Sequence, residues 1–487
     1  GSVAGFAIFA TGSVTVTACL CDRPRYKLEG PKYHQAQSMS SFRTELAPML
    51  RLALPVVLAE LGWMSMGIVD TIMVAPLGPA AIGAAGIGTS LHMAFAIFGM
   101  GLLLGLDTLV SQAHGAGDHR DCHRWLVHGL AMSAGLTVPI IAVCLGVLAA
   151  IPYMGFHQDV MPLLDGYFGI VLWSTAPLLL YAALRRYLQG MHVVAPIAFA
   201  LVTANLLNAG ANWTLIYGKL GMPALGVPGA AWATFISRVY MLAVLVVAAW
   251  WIDRAGNTGL ADVSRTLSRE RFARLWRLGF PAASQVTLEV GVFGLATALA
   301  GRLDPVSSAA HQIALNIAGT SFMVPLGVAS AGAVRVGNRV GANDPAGAAR
   351  AGWMSILLGS GFMCLTAVAF FVAPRALIGL FQPGPAVVEL GASLLLVAAI
   401  FQLFDGLQAV ATGALRGLGS TRMAMMVNLA GHWFVGLPIA YVLCFTLGLG
   451  VRGLWLGLST GLIVCGIVLT WYWHRRISHY TSTGRLR

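Results

Sequence analysis

Five acidic residues lie inside long apolar stretches of the chain: Glu60, Asp70, Asp107, Glu289 and Asp405. Holding a carboxylate in hydrocarbon costs on the order of 2.5–3.5 kcal/mol by insertion scales, so each calls for a compensating partner. Asp70 has candidates. Asn208 and Asn212, in "NLLNAGANW", are four residues apart and share one helix face, and Thr234 in the next stretch adds a hydroxyl. A carboxylate, amide oxygens and a hydroxyl are hard donors suited to a small hard cation rather than a thiophilic metal. The same side chains also serve to hold helices together by hydrogen bonds, and residue types alone leave both readings open. Glu60 has no evident partner in the sequence. Asp107, near the end of its stretch in "GLDTLVSQAHG", reads as a structural positioning residue.

The elements that must hold these groups are transmembrane helices. Of the 487 residues, 57% are hydrophobic and only 10% charged, with a mean hydropathy of +0.78; soluble domains carry about 25% charged residues. Fifty-eight glycines and nineteen methionines suit closely packed helices in lipid. A spanning helix needs roughly 20 apolar residues. Runs of that length occupy 50–75, 81–111, 126–152, 164–184, 194–217, 227–252, 278–300, 308–334, 351–373, 387–414, 423–446 and 452–474. Their length argues for helices rather than short alternating barrel strands.

Basic residues alternate between the loops. One set holds Arg120 and Arg124, Arg185 and Arg186, six arginines from Arg254 to Arg277, then Arg335, Arg339, Arg350, Arg416 and Arg422; the other offers only Lys219, Arg302, Arg375 and Arg452. By the positive-inside rule both termini are expected in the cytoplasm. The net charge of +12 is accounted for by these short loops and the tail, so no nucleic-acid partner is expected. The seven cysteines show neither zinc spacing nor a disulfide framework. No G-x-x-x-x-G-K-[ST] stretch is present, so an ion gradient rather than ATP is the expected energy source, with no cofactor.

The halves repeat. Pro55 matches Pro281, "YLQG" ending at Gly190 matches "ALRG" ending at Gly417, "GVPGAAW" from Gly226 matches "GVRGLW" from Gly450, and "GTS" recurs at 88–90 and 319–321, in the same order. Six helices return the chain to its starting side, so the halves insert in parallel, related by an axis along the membrane normal, with a site at their interface. The expected domains are an N-terminal extension (1–44), an N-lobe bundle (45–252), a cytoplasmic linker (253–277), a C-lobe bundle (278–474) and a cytoplasmic tail (475–487). Residues 1–38 lack the basic segment of a signal peptide, and Met39 opens a plausible lead into the first helix; they are expected not to belong to the working transporter.

Four stretches, "MGIVDTIMVAPLG", "GLDTLVSQAHG", "HQIALNIAGTSFMVPLGVASAGAVRVGNRVGA" and "FDGLQAVATGALRGLG", resemble the multidrug and toxic compound extrusion (MATE) family in its NorM-like branch, over about residues 45–475. The resemblance implies an all-α integral membrane fold: twelve transmembrane helices in two six-helix bundles, related by pseudo-twofold symmetry along the membrane normal and enclosing a V-shaped cleft. It implies a monomeric antiporter of the bacterial inner membrane that exports cationic drugs or dyes in exchange for sodium ions or protons. Carried residue by residue, the N-lobe cation site falls on Asp70, Asn208, Asn212 and Thr234, and the C-lobe acids on Glu289 and Asp405. Sodium is thus an expected ligand of Asp70 or of the Glu289/Asp405 pair.

Arg238 departs from a simple cation site. It lies four residues after Thr234, on the same helix face, and a guanidinium that reaches Asp70 would act as a resident counter-ion opposing sodium. Trp63, Phe401 and Phe404 are candidates for lining the cleft through cation–π contacts, or for packing. The alternative function is a flippase for a lipid-linked precursor; a pyrophosphate-binding cleft should be rich in arginine, whereas the interior charges here are mostly acids. An intramembrane enzyme finds no HExxH, serine–lysine or paired-aspartate signature, and a channel does not fit two packed repeats.

Overall fold

A computed structural model describes residues 38–256, 259–260 and 262–486; the expectation for the first 37 residues lies outside them. All regular elements among the described residues are helical. In chain order the long ones are α1 (Ser38–Val74), α2 (Pro79–Gly115), α3 (His119–Tyr153), α4 (Met161–Gly190), α5 (Ala195–Tyr217), α6 (Val227–Gly256), α7 (Arg269–Ala300), α8 (Pro305–Gly341), α9 (Pro345–Val372), α10 (Pro385–Gly417), α11 (Thr421–Thr446) and α12 (Gly450–Thr483). They coincide with the twelve apolar runs. Eleven are long and apolar enough to cross a membrane. The exception is α5, 23 residues long, whose Asn205, Asn208 and Asn212 lower its hydropathy. The helix least suited to lipid is the one that carries the amides.

Local sequence explains the helix starts. Proline at the first turn opens α2, α8, α9 and α10, where its missing N–H is no loss. In α3 and α9, which occupy equivalent places in the two halves, the N-cap is an aspartate. Asp118 accepts a hydrogen bond from the Asp121 backbone N–H (2.8 Å), and Asp344 accepts one from that of Gly347 (2.7 Å). The residue before each cap is left-handed, Gly117 (φ 75°) and Asn343 (φ 53°), two residue types that tolerate that region. The connection between the halves is shorter than expected from its polarity, because α6 runs to Gly256 and α7 begins at Arg269. The basic segment 269–277 is the first part of a helix. Likewise α12 continues to Thr483 through most of the expected tail.

Burial shows how the halves meet. One core is built from α1–α6 with Leu275 and Ala283 of α7. Another is built from α7–α12 at the ends away from the basic loops, around Val292, Ala314, Leu394 and Leu458. The third joins the start of α1 (Met49, Leu52, Val56) to the basic ends of α8–α12, including Val334, Ala351, Leu415 and Trp473. The halves therefore share an apolar core at the basic-loop end and keep separate cores at the other, the arrangement of a V. The closed end needs glycine: a Cβ on Gly279 of α7 would lie 2.0 Å from the Leu102 carbonyl oxygen of α2, and one on Gly341 of α8 would lie 1.9 Å from that of Gln112.

Candidate functional site

The N-lobe group expected from spacing assembles. Asn212 Nδ2 donates to Asp70 Oδ1 (2.7 Å) and to Asn208 Oδ1 (3.1 Å), and Thr234 Oγ1 donates to Asp70 Oδ2 (3.1 Å). Both asparagines are fully buried and Thr234 nearly so, so α1, α5 and α6 converge on one carboxylate. Asn208 Nδ2 and Asn212 Oδ1 are left without a partner in the buried cluster. An amide with an unused oxygen beside a carboxylate has spare coordinating capacity.

Arg238 is not the direct counter-ion of Asp70. It is buried, forms no ion pair with Asp70 among the described residues, and donates instead to Ser174 Oγ. Its Nη1 also lies 3.5 Å from His92 Nδ1, while His92 Nε2 lies 3.0 Å from Thr175 Oγ1. The guanidinium is anchored on α4 and α2 and acts on Asp70 only through its field. Tyr167, whose hydroxyl lies 2.9 Å from Thr89 Oγ1, completes this polar layer. His92, Ser174 and Tyr167 carried no spacing signal that tied them to Asp70.

The C-lobe is built differently. Glu289 on α7 accepts a hydrogen bond from Gln408 Nε2 (3.1 Å), which also donates to Asn428 Oδ1 (2.7 Å). Gln408 follows Asp405 by three residues and so shares its face of α10; that spacing was a usable signal. Asp405 is 8% exposed. It has no hydrogen-bond or ion-pair partner among the described residues, and it feels the charge of Glu289. No arginine, lysine or histidine forms an ion pair with either acid among the described residues. Two carboxylates thus share a largely buried region that offers amides and no cation. Beside them α11 leaves α-helical geometry for a π-helical segment at Leu429–Gly436, whose Trp433 indole N–H donates to the Leu288 carbonyl (3.0 Å). Such bulges recur at functional sites.

The remaining acids have structural partners. Glu60, with none evident in the sequence, accepts a hydrogen bond from Arg185, both side chains being mostly buried. Asp107 is fully buried and pairs with Arg416 (3.1 Å) and Arg186 (3.5 Å), in keeping with a positioning role. Arg185 and Arg186 thus lie inside α4 on acids of α1 and α2, not in the loop where their position in the charge pattern placed them. Several of these contacts cross between the halves. Arg416 of α10 reaches Asp107 of α2, Arg186 of α4 donates to Ser330 Oγ of α8 (2.9 Å), and Gln112 Nε2 donates to the Gly417 carbonyl (3.1 Å). Glu45 of α1 accepts from Arg335 Nε (2.9 Å) and Arg339 Nη2 (3.2 Å) of α8.

Of the three aromatic candidates, Phe401 is 6% exposed and packs against Trp455 in the C-lobe core, with ring centroids 6.1 Å apart; this ring serves packing. Trp63 and Phe404 are half-buried. Among the described residues no group of three or more His, Cys, Asp or Glu is arranged to hold a metal ion.

Comparison with known proteins agrees with this architecture. A family profile described as MatE matches twice, over residues 55–214 and 281–442, and the two matches begin at the prolines paired in the repeat. A protein named "Probable multidrug resistance protein NorM" from Brucella suis biovar 1 (strain 1330) is 34% identical over 450 residues, 90% of this chain and 95% of the relative. "Multidrug resistance protein NorM" from Burkholderia vietnamiensis is 35% identical over 446 residues, 89% and 95% of the two chains. A crystal structure of a eukaryotic MATE transporter superposes with a TM-score of 0.81 at 21% identity, over 91% of this chain and all of the other; that likeness concerns the fold.

Proposed function

Since the chain belongs to the MatE family of multi-pass membrane transporters, we propose that it is a cation-coupled multidrug antiporter that exports cationic amphipathic compounds by alternating access. The single observation that carries this reading is the C-lobe pair: Glu289 and Asp405 sit in a largely buried region with amide neighbours and no cation of the protein's own. Such carboxylates need an exchangeable positive charge, because uncompensated charge in an apolar surrounding is costly. A proton or sodium ion supplies it at one stage of the cycle, and the cationic cargo at another.

In the proposed orientation both termini and the basic loops face the cytoplasm of a bacterial cell, across its inner membrane. The V then opens outward and the seam of α1, α2, α8 and α10 closes the cytoplasmic side. A cation entering from outside neutralises Glu289 and Asp405 and removes the attraction that held the cargo, which leaves through the open end. Rearrangement of the seam then exposes the acids inward, where the cation is lost and a new cargo cation replaces it. Asp70 is the second station. Its two oxygens already accept hydrogen bonds from Asn212 and Thr234, and Arg238 biases it electrostatically, so the C-lobe pair is the stronger site for the exchanged charge. The C-lobe acids, which have no ion pair among the described residues while Glu60 and Asp107 are paired with arginines, favour a cationic cargo over the anionic precursor a flippase would carry.

Asp405→Asn keeps shape and removes one charge. In an efflux-deficient bacterial host this variant is expected to be expressed at the normal level and to confer no resistance to ethidium or norfloxacin. Resistance equal to that given by the unaltered chain would remove the C-lobe from the mechanism.

A further inference from the structure

The basic end of the molecule holds more arginine than its ion pairs use. At the start of α7, Arg271 pairs with Asp121 (2.6 Å) and lies over the Trp125 ring (4.7 Å), and Arg274 lies over the same ring (5.8 Å). Arg269 and Arg277 of α7 and Arg422 of α11 are exposed, with no ion pair or hydrogen bond among the described residues. All three instead border one groove of about 690 Å³, whose apolar wall includes Trp276, Phe280 and Met132. Arg269, Trp276, Arg277 and Phe280 fall at i, i+7, i+8 and i+11, a single stripe along α7. Arg269 and Arg277 are about 12 Å apart in backbone rise along the helix; Trp276 lies between them and stacks on Phe280 one turn further on, with centroids 5.7 Å apart and an interplanar angle of 24°.

We propose that this groove is a binding site for an anionic phospholipid. The apolar run of α7 starts at residue 278, so Trp276 and Arg277 lie at headgroup depth, Arg269 outside them and Phe280 beneath. That polarity matches one class of ligand, a phosphodiester joined to an acyl chain. Guanidinium groups recognise phosphate oxygens through paired N–H donors, and basic pockets between helices on the positively charged membrane face hold anionic headgroups. A zwitterionic lipid brings an ammonium that three unpaired guanidiniums repel. A soluble phosphate leaves the aromatic wall uncovered. Met132 lies on α3 whereas the other lining residues named here lie on α7 and α11, so the groove spans both halves. A lipid seated there favours the state in which the basic ends are packed together. This inference rests on the groove alone and not on the transport reading.

The test is native mass spectrometry of the detergent-purified full chain, titrated in parallel with dioleoyl phosphatidylglycerol and dioleoyl phosphatidylcholine, with glycerol 3-phosphate as a soluble competitor. The expected result is retention of phosphatidylglycerol with about a tenfold preference, since each surface arginine contributes favourably toward an anionic headgroup, and no displacement by glycerol 3-phosphate. R269Q/R277Q/R422Q is expected to lose the preference, R269K/R277K/R422K to keep most of it, and R271Q, which alters an arginine already paired, to keep it. Equal retention of both lipids by the unaltered chain overturns the proposal and needs no variant. Persistence of the preference in the glutamine variant, or displacement by glycerol 3-phosphate, overturns it as well. If the triple glutamine variant does not purify as a folded protein, R422Q alone takes its place, with a partial loss expected.

Discussion

Asp70 and Asp405 show two ways in which one residue type is kept inside a membrane. Both oxygens of Asp70 accept hydrogen bonds from buried neighbours, so its carboxylate is solvated by the protein in place of water. Asn212 is the pivotal neighbour, because one amide nitrogen serves both Asp70 and Asn208. Asn212→Ala leaves Asp70 Oδ1 without a donor, and a buried acceptor left unsatisfied costs about 1–3 kcal/mol. The variant is therefore expected to melt several degrees lower in detergent when followed by intrinsic fluorescence, whereas Asp405→Asn, which removes no bond, should melt at or above the unaltered value. Asp405 has no such donor among the described residues, and in the proposed cycle its charge is met by the cation or cargo that enters. That difference is why a change at Asp405 is predicted to act on transport and a change at Asn212 on both transport and stability.

At the scale of elements, close approach between helices decides where the halves touch. Gly279 lets α7 pass directly over the Leu102 carbonyl of α2, and any larger residue forces the two apart. Gly279→Val should lower the melting temperature and reduce folded yield, whereas Gly67→Ala, where a Cβ meets nothing within 4 Å, should leave both unchanged; size-exclusion recovery measures the contrast. Spans were legible in the sequence because length and hydropathy alone select them, and the Asp70 group was legible because i, i+4 spacing puts Asn208 and Asn212 on one face. The roles of Arg185 and Arg186 were not legible. Two adjacent arginines at the end of an apolar run read as a loop, and only the arrangement of α4 against α1 and α2 shows that each meets a different buried acid. Arg238 was ambiguous for a related reason: its helix face was readable, but its anchor on Ser174 comes from another helix. Phe401 was left open between cleft and packing, because i, i+4 spacing puts it on the face of Asp405 without saying what that face meets; in the structure it packs on Trp455.

For the whole molecule, the shared core and the ion pairs at the basic end form a seam, which in the proposed cycle breaks when the other end closes. Asp107 is its centre, held by Arg186 from its own half and Arg416 from the other. Asp107→Asn leaves two mostly buried guanidiniums short of their counter-charge, and breaking a buried pair costs about 3–5 kcal/mol. The seam is then expected to open more often. A cysteine at Ser330, which receives Arg186 across the seam, in an otherwise cysteine-free chain should react several-fold faster with a membrane-impermeant maleimide applied to the basic face when Asp107 is replaced. Unchanged labelling would mean that the apolar core alone keeps the halves together.

The account stands on exchange of positive charge at buried acids, and flux itself measures that most directly. Reconstituted in liposomes, the unaltered chain is predicted to move ethidium against an imposed sodium or proton gradient, and D70N/E289Q/D405N to move none while remaining folded. Ethidium transport by the triple variant at the unaltered rate would contradict the account.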